Sequence, residues 1–137
     1  MAFPDVLGTA TTNGTGATAS ATVNLPAGIV SGETLIVIHR NAVGTDPHGY
    51  PAGWTALDNN VSDASDDRTS IAWRKADGTE GATITITQTS SKFASIAYRL
   101  SGAADPTVTP PEFATPVTGT STLPNPGSLT PAGGAKD

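Results

Sequence analysis

The chain has 137 residues, a formal net charge of -5, no cysteine, and much glycine (15) and proline (11), but few aromatic (5%) or charged (14%) residues. That length suits one domain with a real core, whereas scattered Lys and Arg argue against nucleic-acid binding and the lack of cysteine removes disulfides and thiolate metal sites. Gly and Pro as punctuation, with abundant Thr, Val and Ile, favour a loop-rich all-β domain over helices.

Residues 1–15 read as an N-terminal arm in which Phe3, Val6 and Leu7 are the only large apolar residues. The arm is either a flexible lead or docks through those residues on a neighbour. It has no basic or apolar signal region, and the longest apolar run, Leu35 to Ile38, is too short to span a bilayer, so no membrane role is expected. From Gly16 to Leu25, Ala17, Ala19, Ala21, Val23 and Leu25 alternate with polar residues, which predicts a strand with a small inner face. After turns at Pro26-Ala27-Gly28 and Ser31-Gly32-Glu33, Thr34 to Arg40 is short and β-branched, so it predicts the most buried strand. Asn41 to Pro51 is a loop by its Gly, Pro, Asn and Asp density. Ala52 to Asp58 predicts a short strand with Trp54 in the core, and Asn59 to Asp67 a polar connection.

Arg68 to Leu100 holds three strand-like runs separated by two polar breaks, a β-meander by pattern. The first run places Ile71 and Trp73 on the face opposite Ser70, Ala72 and Arg74. The second places Ala82, Ile84 and Ile86 inward and threonines outward. The third, after Ser90-Ser91-Lys92, sets Ala94, Ile96, Tyr98 and Leu100 against Ser95, Ala97 and Arg99, with Phe93 on the second face. The expected core is Leu35, Val37, Ile38, Trp54, Ile71, Trp73, Ile84, Ile86, Ile96 and Tyr98. Seven of the eleven prolines fall between Pro106 and Pro131, so that region supports at most extended segments, around Pro116 to Thr122. The domain organisation is an arm at 1–15, a β-sandwich at 16–105 and a proline-rich C-terminal arm at 106–137.

Little in the sequence carries chemistry. His39 ends the buried strand and His48 lies in the next loop, but neither accompanies a Gly-x-Ser-x-Gly elbow or a cysteine nucleophile. Asp46, Asp58, Asp63, Asp66 and Asp67 are oxygen donors without the spacing of a calcium loop, and Glu33, Glu80 and Glu112 add no glycosidase pair. No catalytic residue, metal or cofactor is expected. Asp46, His48 and Tyr50 together form a candidate ligand site, an aromatic ring with polar neighbours that suits a sugar.

Four segments, LPAGIVSGETLIVIHR from Leu25, PAGWTALD from Pro51, RTSIAWRKADGTEGATITIT from Arg68 and SIAYRLSGAADP from Ser95, resemble a module of tailed-phage and prophage virion and tail-fibre proteins. They span Leu25 to Pro106. The resemblance implies an antiparallel β-sandwich of jelly-roll type in a virion, non-enzymatic, most simply a capsid decoration or accessory protein. Its partners would be the major capsid protein or neighbouring copies, as a homotrimer. The alternative is a carbohydrate-binding receptor module of a tail fibre or spike, which would bind host surface glycan. In that family the equivalent of SLTPAGGAKD leads into further apolar strands, so here either more chain follows or a neighbouring subunit completes the sheet.

Overall fold

The computed structural model describes residues 4–43, 46–62, 67–114, 128–130 and 132, with backbone alone for 59–62. Five strands follow in chain order: β1 Asp5–Asn24, β2 Thr34–Asn41, β3 Thr55–Ser62, β4 Arg68–Lys75 and β5 Thr83–Ser101. They form one antiparallel sheet in the order β1-β5-β2-β4-β3. The fold is all-β. Among the described residues the strands make this single hydrogen-bonded sheet.

The N-terminal segment and the meander differ from expectation. The segment 1–15, read as an arm, is strand from Asp5 onward, paired with β5 from Asp5↔Ser101. The runs 82–89 and 93–100 are not separate strands. Ser90-Ser91-Lys92 holds neither glycine nor proline to turn the chain, so it stays extended and the runs join into β5. Because β2 pairs with both β4 and β5, there is no meander. Of the region 106–137, Asp105 to Thr109 is a turn closed by the Val108 and Thr109 N–H groups on the Asp105 carbonyl, tied to β4 by a Lys75–Asp105 ion pair at 2.5 Å. The expected extended segment Pro116 to Thr122 lies outside the described residues.

The shape comes from one change of phase. In β5 the inward residues are Ile84, Ile86 and Gln88, then Ser91, Ser95 and Ala97, so the buried positions pass from even to odd between Gln88 and Ser91. β1 changes phase at the same place, where its register with β5 shifts between Gly14, Thr18 and Ser20. Such irregularities bend a strand and add twist. Here they fold the ribbon 20–24/83–88 back over the rest of the sheet. Two contacts join the halves of β1: the Asn24 N–H donates to Thr12 Oγ1 at 2.9 Å, and a Cβ placed on Gly8 would meet the Pro26 Cβ at 3.4 Å. At the bend, Gly14 lies under the ring of its cross-strand partner Phe93. A Cβ there would sit 2.1 Å from a ring carbon.

The core lies inside this fold. Ala21, Val23, Leu25, Ile84 and Ile86 from the overlying ribbon pack with Val37 and Ala97 of the sheet, and Ile29, Tyr50, Trp54 and Phe93 close around them. The inner face of the sheet is built of rows read from the register: Ala72–Val37–Ala97, and beside it Ser70–His39–Ser95. Small residues flank β2, so the ribbon can approach closely. The outer face carries the large rows, Trp73–Ile36–Tyr98 and Ile71–Ile38–Ile96. This corrects the expected core. Ile38, Ile71, Ile96 and Tyr98 are only half-buried, Trp73 is buried on the outer face, and Ala72 and Ala97 are fully enclosed. Ala17 and Ala19, expected inside, are exposed because β1 bends there.

Glu80 organises the β4–β5 connection. Its carboxylate accepts the N–H groups of Asp77 at 2.6 Å and Gly78 at 3.0 Å and pairs with Arg74 Nε at 3.1 Å. Gly78 at φ 88 supplies the left-handed backbone that this turn needs.

If the enclosed face is the inner one, Ile86→Ala should cost about 3–5 kcal/mol in chemical denaturation and Ile96→Ala clearly less, about 1–2 kcal/mol. The reverse order would place the core on the outer face.

Candidate functional site

The polar side chains of the inner face converge on His39. The strand alternation of β2 that turns Leu35 and Val37 inward also turns His39 inward, and it is 0% exposed. Gln88 Nε2 donates to the Thr18 carbonyl at 2.7 Å and the Ser91 carbonyl at 3.1 Å, which fixes the orientation of its amide. Its Oε1 therefore faces His39 Nε2 at 2.8 Å and accepts that N–H. His39 Nδ1 is then an acceptor, and the Ser95 hydroxyl donates to it at 2.7 Å.

A second group sits against the first. Pro47 to Pro51 is held to β5 by reciprocal Gly49–Thr87 backbone bonds, both 2.9 Å. This turns His48 and Tyr50 inward onto Ser70, with His48 Nδ1 at 2.6 Å and Tyr50 Oη at 2.7 Å from Ser70 Oγ. With Tyr50 as donor, the serine proton is available to His48. The His39 and His48 rings meet edge to face at 4.6 Å, Phe93 lies 5.5 Å from His39, and Tyr50 stacks on Trp54 at 6.5 Å.

The electrostatics keep this network neutral. Burial lowers the pKa of His39, against a smaller upward push from Gln88. Burial chiefly, with the charges of His39 and Arg68, lowers His48 to about 4. Burial raises Tyr50 to about 12 although its bond to Ser70 acts the other way. An imidazole beside a serine hydroxyl has the outline of a base and nucleophile. Here the third group is an amide without charge to steady an imidazolium, and both partners are enclosed. What the arrangement does is tie β2, β4, β5 and the 46–50 loop together across the bend.

The expected ligand site is not assembled as such. His48 is 3% exposed and Tyr50, partly buried, turns its hydroxyl inward onto Ser70, while Asp46 is exposed and receives a 3.5 Å contact from Thr89 Oγ1. Asp58 and Asp67 stand apart, Asp63 and Asp66 lie outside the described residues, and no group of three or more His, Cys, Asp or Glu among the described residues is placed to hold a metal ion. The sequence signals that were missed are Gln88, a polar residue continuing the inward series of Ile84 and Ile86, and the serines that fall opposite His39 in both registers.

A separate open cavity of about 280 Å³ lies past the end of β2, lined by Arg40, Asn41, Ala42, Asp67, Lys92, Phe93 and Ala94. Arg40 pairs with Asp67 at its rim. Asn41 is 1% exposed; its Nδ2 donates to the Val43 carbonyl at 2.7 Å, and its buried Oδ1 accepts no hydrogen bond.

No protein-family model matches the chain, and no curated protein or solved structure matches it.

Both histidines bind protons less tightly when folded than when unfolded, so the unfolded state takes up more protons as pH falls below 6.5. Their contribution to stability is complete above that pH and declines below it, that of His48 being lost down to about pH 4. Unfolding free energy should fall across this window by an amount on the order of 3 kcal/mol from His48. The exposed carboxylates Asp77 and Asp105, whose pKa values are lowered from 3.8, act only at lower pH. His48→Gln should flatten the curve between pH 6.5 and 4; an unchanged slope would remove His48 as its source. His39→Leu, which strands Gln88 Oε1 and the Ser95 hydroxyl, should cost about 2–5 kcal/mol at pH 7.

Proposed function

We propose that the chain is a non-enzymatic bacteriophage virion protein displayed on the particle surface, as a capsid decoration or accessory subunit in contact with the major capsid protein or with neighbouring copies. The observation that carries this reading is the use made of the reactive side chains. His39, His48, Tyr50, Ser70, Gln88 and Ser95 all point inward and stay neutral, so they hold the bend and the loop instead of presenting chemistry to a substrate. What faces outward instead is apolar: Val6, Leu7, Val30 and Val43 are exposed, and the large rows of the outer face are half-buried. Exposed apolar surface is the usual mark of contact with other proteins. The four segments from Leu25 to Pro106 that resemble tailed-phage modules supply the setting. Mass spectrometry of purified particles from the phage or induced prophage that encodes the chain should detect it; particles lacking it would sink the proposal.

One observation favours the carbohydrate-binding alternative, though at a different place from Asp46, His48 and Tyr50. The cavity beyond β2 sets a half-buried phenyl ring, Phe93, beside the buried acceptor Asn41 and the charged Asp67, Lys92 and Arg40. An apolar ring with planar hydrogen-bonding groups suits a pyranose. A glycan array showing saturable binding that is lost in Lys92→Ala would favour this alternative over decoration. Binding lost instead in Tyr50→Ala would return the site to the loop.

A further inference from the structure

We infer that the open edge of β1 over Thr9 to Asn13 is a pairing surface for a second copy of this chain, which adds antiparallel to form a two-fold dimer with one continuous sheet.

β1 is an outermost strand of 20 residues and, among the described residues, pairs only on its β5 side. The Ala42 N–H donates to the Lys92 carbonyl, so even-numbered residues of the second half of β5 bond β2 and odd-numbered ones bond β1. Through the register Phe93↔Gly14, Ser95↔Thr12 and Ala97↔Ala10, the even residues of β1 face β5. Thr9, Thr11 and Asn13 therefore direct their N–H and C=O groups to the open side. None of these N–H groups has a hydrogen-bond partner among the described residues.

The other half of β1 is treated differently. Leu25 donates to the Ala82 carbonyl, so Asn24 and Ser20 face away from β5. The Asn24 N–H is capped by Thr12 Oγ1 at 2.9 Å and the Ser20 N–H by Thr18 Oγ1 at 3.1 Å. The chain caps that half at Ser20 and Asn24, on either side of Thr22, with its own side chains and leaves the Thr9–Asn13 half without such caps among the described residues.

The uncharged edge admits a like-charged copy, and symmetry favours it. From Val6 to Asn24 there is no charged residue and no proline, the devices that normally protect an edge. Two copies each carrying a net charge of -5 repel, and β1 is the stripe along which they can approach with least opposition. The opposite edge, β3, is short, irregular in register and bears Asp58, with Asp67 after it. Pairing β1 with β3 would also run head to tail without closing, whereas β1 against β1 closes after two copies. An antiparallel pairing centred near Thr11 lets each open N–H meet a carbonyl of its copy. It also extends the outer rows, since Thr9 and Thr11 lie opposite Tyr98 and Ile96. The expected symmetry is two-fold, in place of the homotrimer that the phage setting implies. This inference concerns the isolated protein and stands or falls apart from any virion role.

Thr11→Pro tests it directly. Proline there removes only an open-side N–H, a substitution that edge strands accept, and spares the β1–β5 ladder. The wild type should scatter light as twice the 13.7 kDa chain mass, and its Thr9, Thr11 and Asn13 amides should lose exchange protection on dilution. Thr11→Pro should halve the mass while circular dichroism stays native. Thr11→Lys, which adds a protecting charge without touching the backbone, should do the same and decides the matter if the proline variant fails to fold. A monomeric or trimeric wild type, or a dimer that persists in the folded variants, would overturn the inference.

Discussion

The structure depends on a single side-chain amide. Gln88 sits where β1 and β5 both change the face they turn inward, and it bonds the carbonyl of Thr18 on one strand, that of Ser91 on its own, and the ring of His39 on β2. A bend in two long strands interrupts their ladder and leaves backbone groups without partners, and buried groups of that kind are costly. One amide answers two such carbonyls and the buried His39 N–H at once. Without it, the overlying ribbon that carries Ile84, Ile86 and Val23 has no fixed position over Val37 and Ala97.

That solution commits His39 to the neutral state, and His48 follows because two rings 4.6 Å apart in an enclosed site do not both take a proton. Polar networks of this kind tie several chain segments into one arrangement. The same network gives the loop with His, Asp and Tyr an architectural role: His48 and Tyr50 close the loop against Ser70. Proximity of reactive groups is not enough for chemistry. Access is also needed, and here the rings of His39 and His48 are enclosed while their hydrogen bonds hold three strands and a loop together.

Bending a single sheet over itself leaves unequal surfaces. Small residues on the inner face admit the ribbon, so the large ones fall on the outer face, where one chain covers them only in part. The two ends of the strand order are unequal as well. β3 is short and acidic, while β1 is long and uncharged, capped by its own threonines in one half and open in the other.

By itself the sequence determined the class and most of the strands. The period-two alternation in Thr34 to Arg40, Arg68 to Lys75 and Ala82 to Thr89 is a local property, and local steric preference is enough to make such runs extended. It also marked Leu35, Val37, Ile84 and Ile86 as buried, since their faces are apolar in any partner arrangement. Which face of β4 and of the second half of β5 lies inside was decided only by tertiary structure. Both faces can be covered, and the cover over Ala72, Ala97, Ser70 and Ser95 comes from residues distant in the chain. The same holds for β1: nothing local in Asp5 to Thr15 is more strand-like than loop-like, and β5 makes it a strand by pairing with it. The meander failed for the converse reason. Turn formers at Asp77-Gly78 fix a reversal but not a neighbour, and β2, placed between β4 and β5, is a choice that only the whole sheet can make.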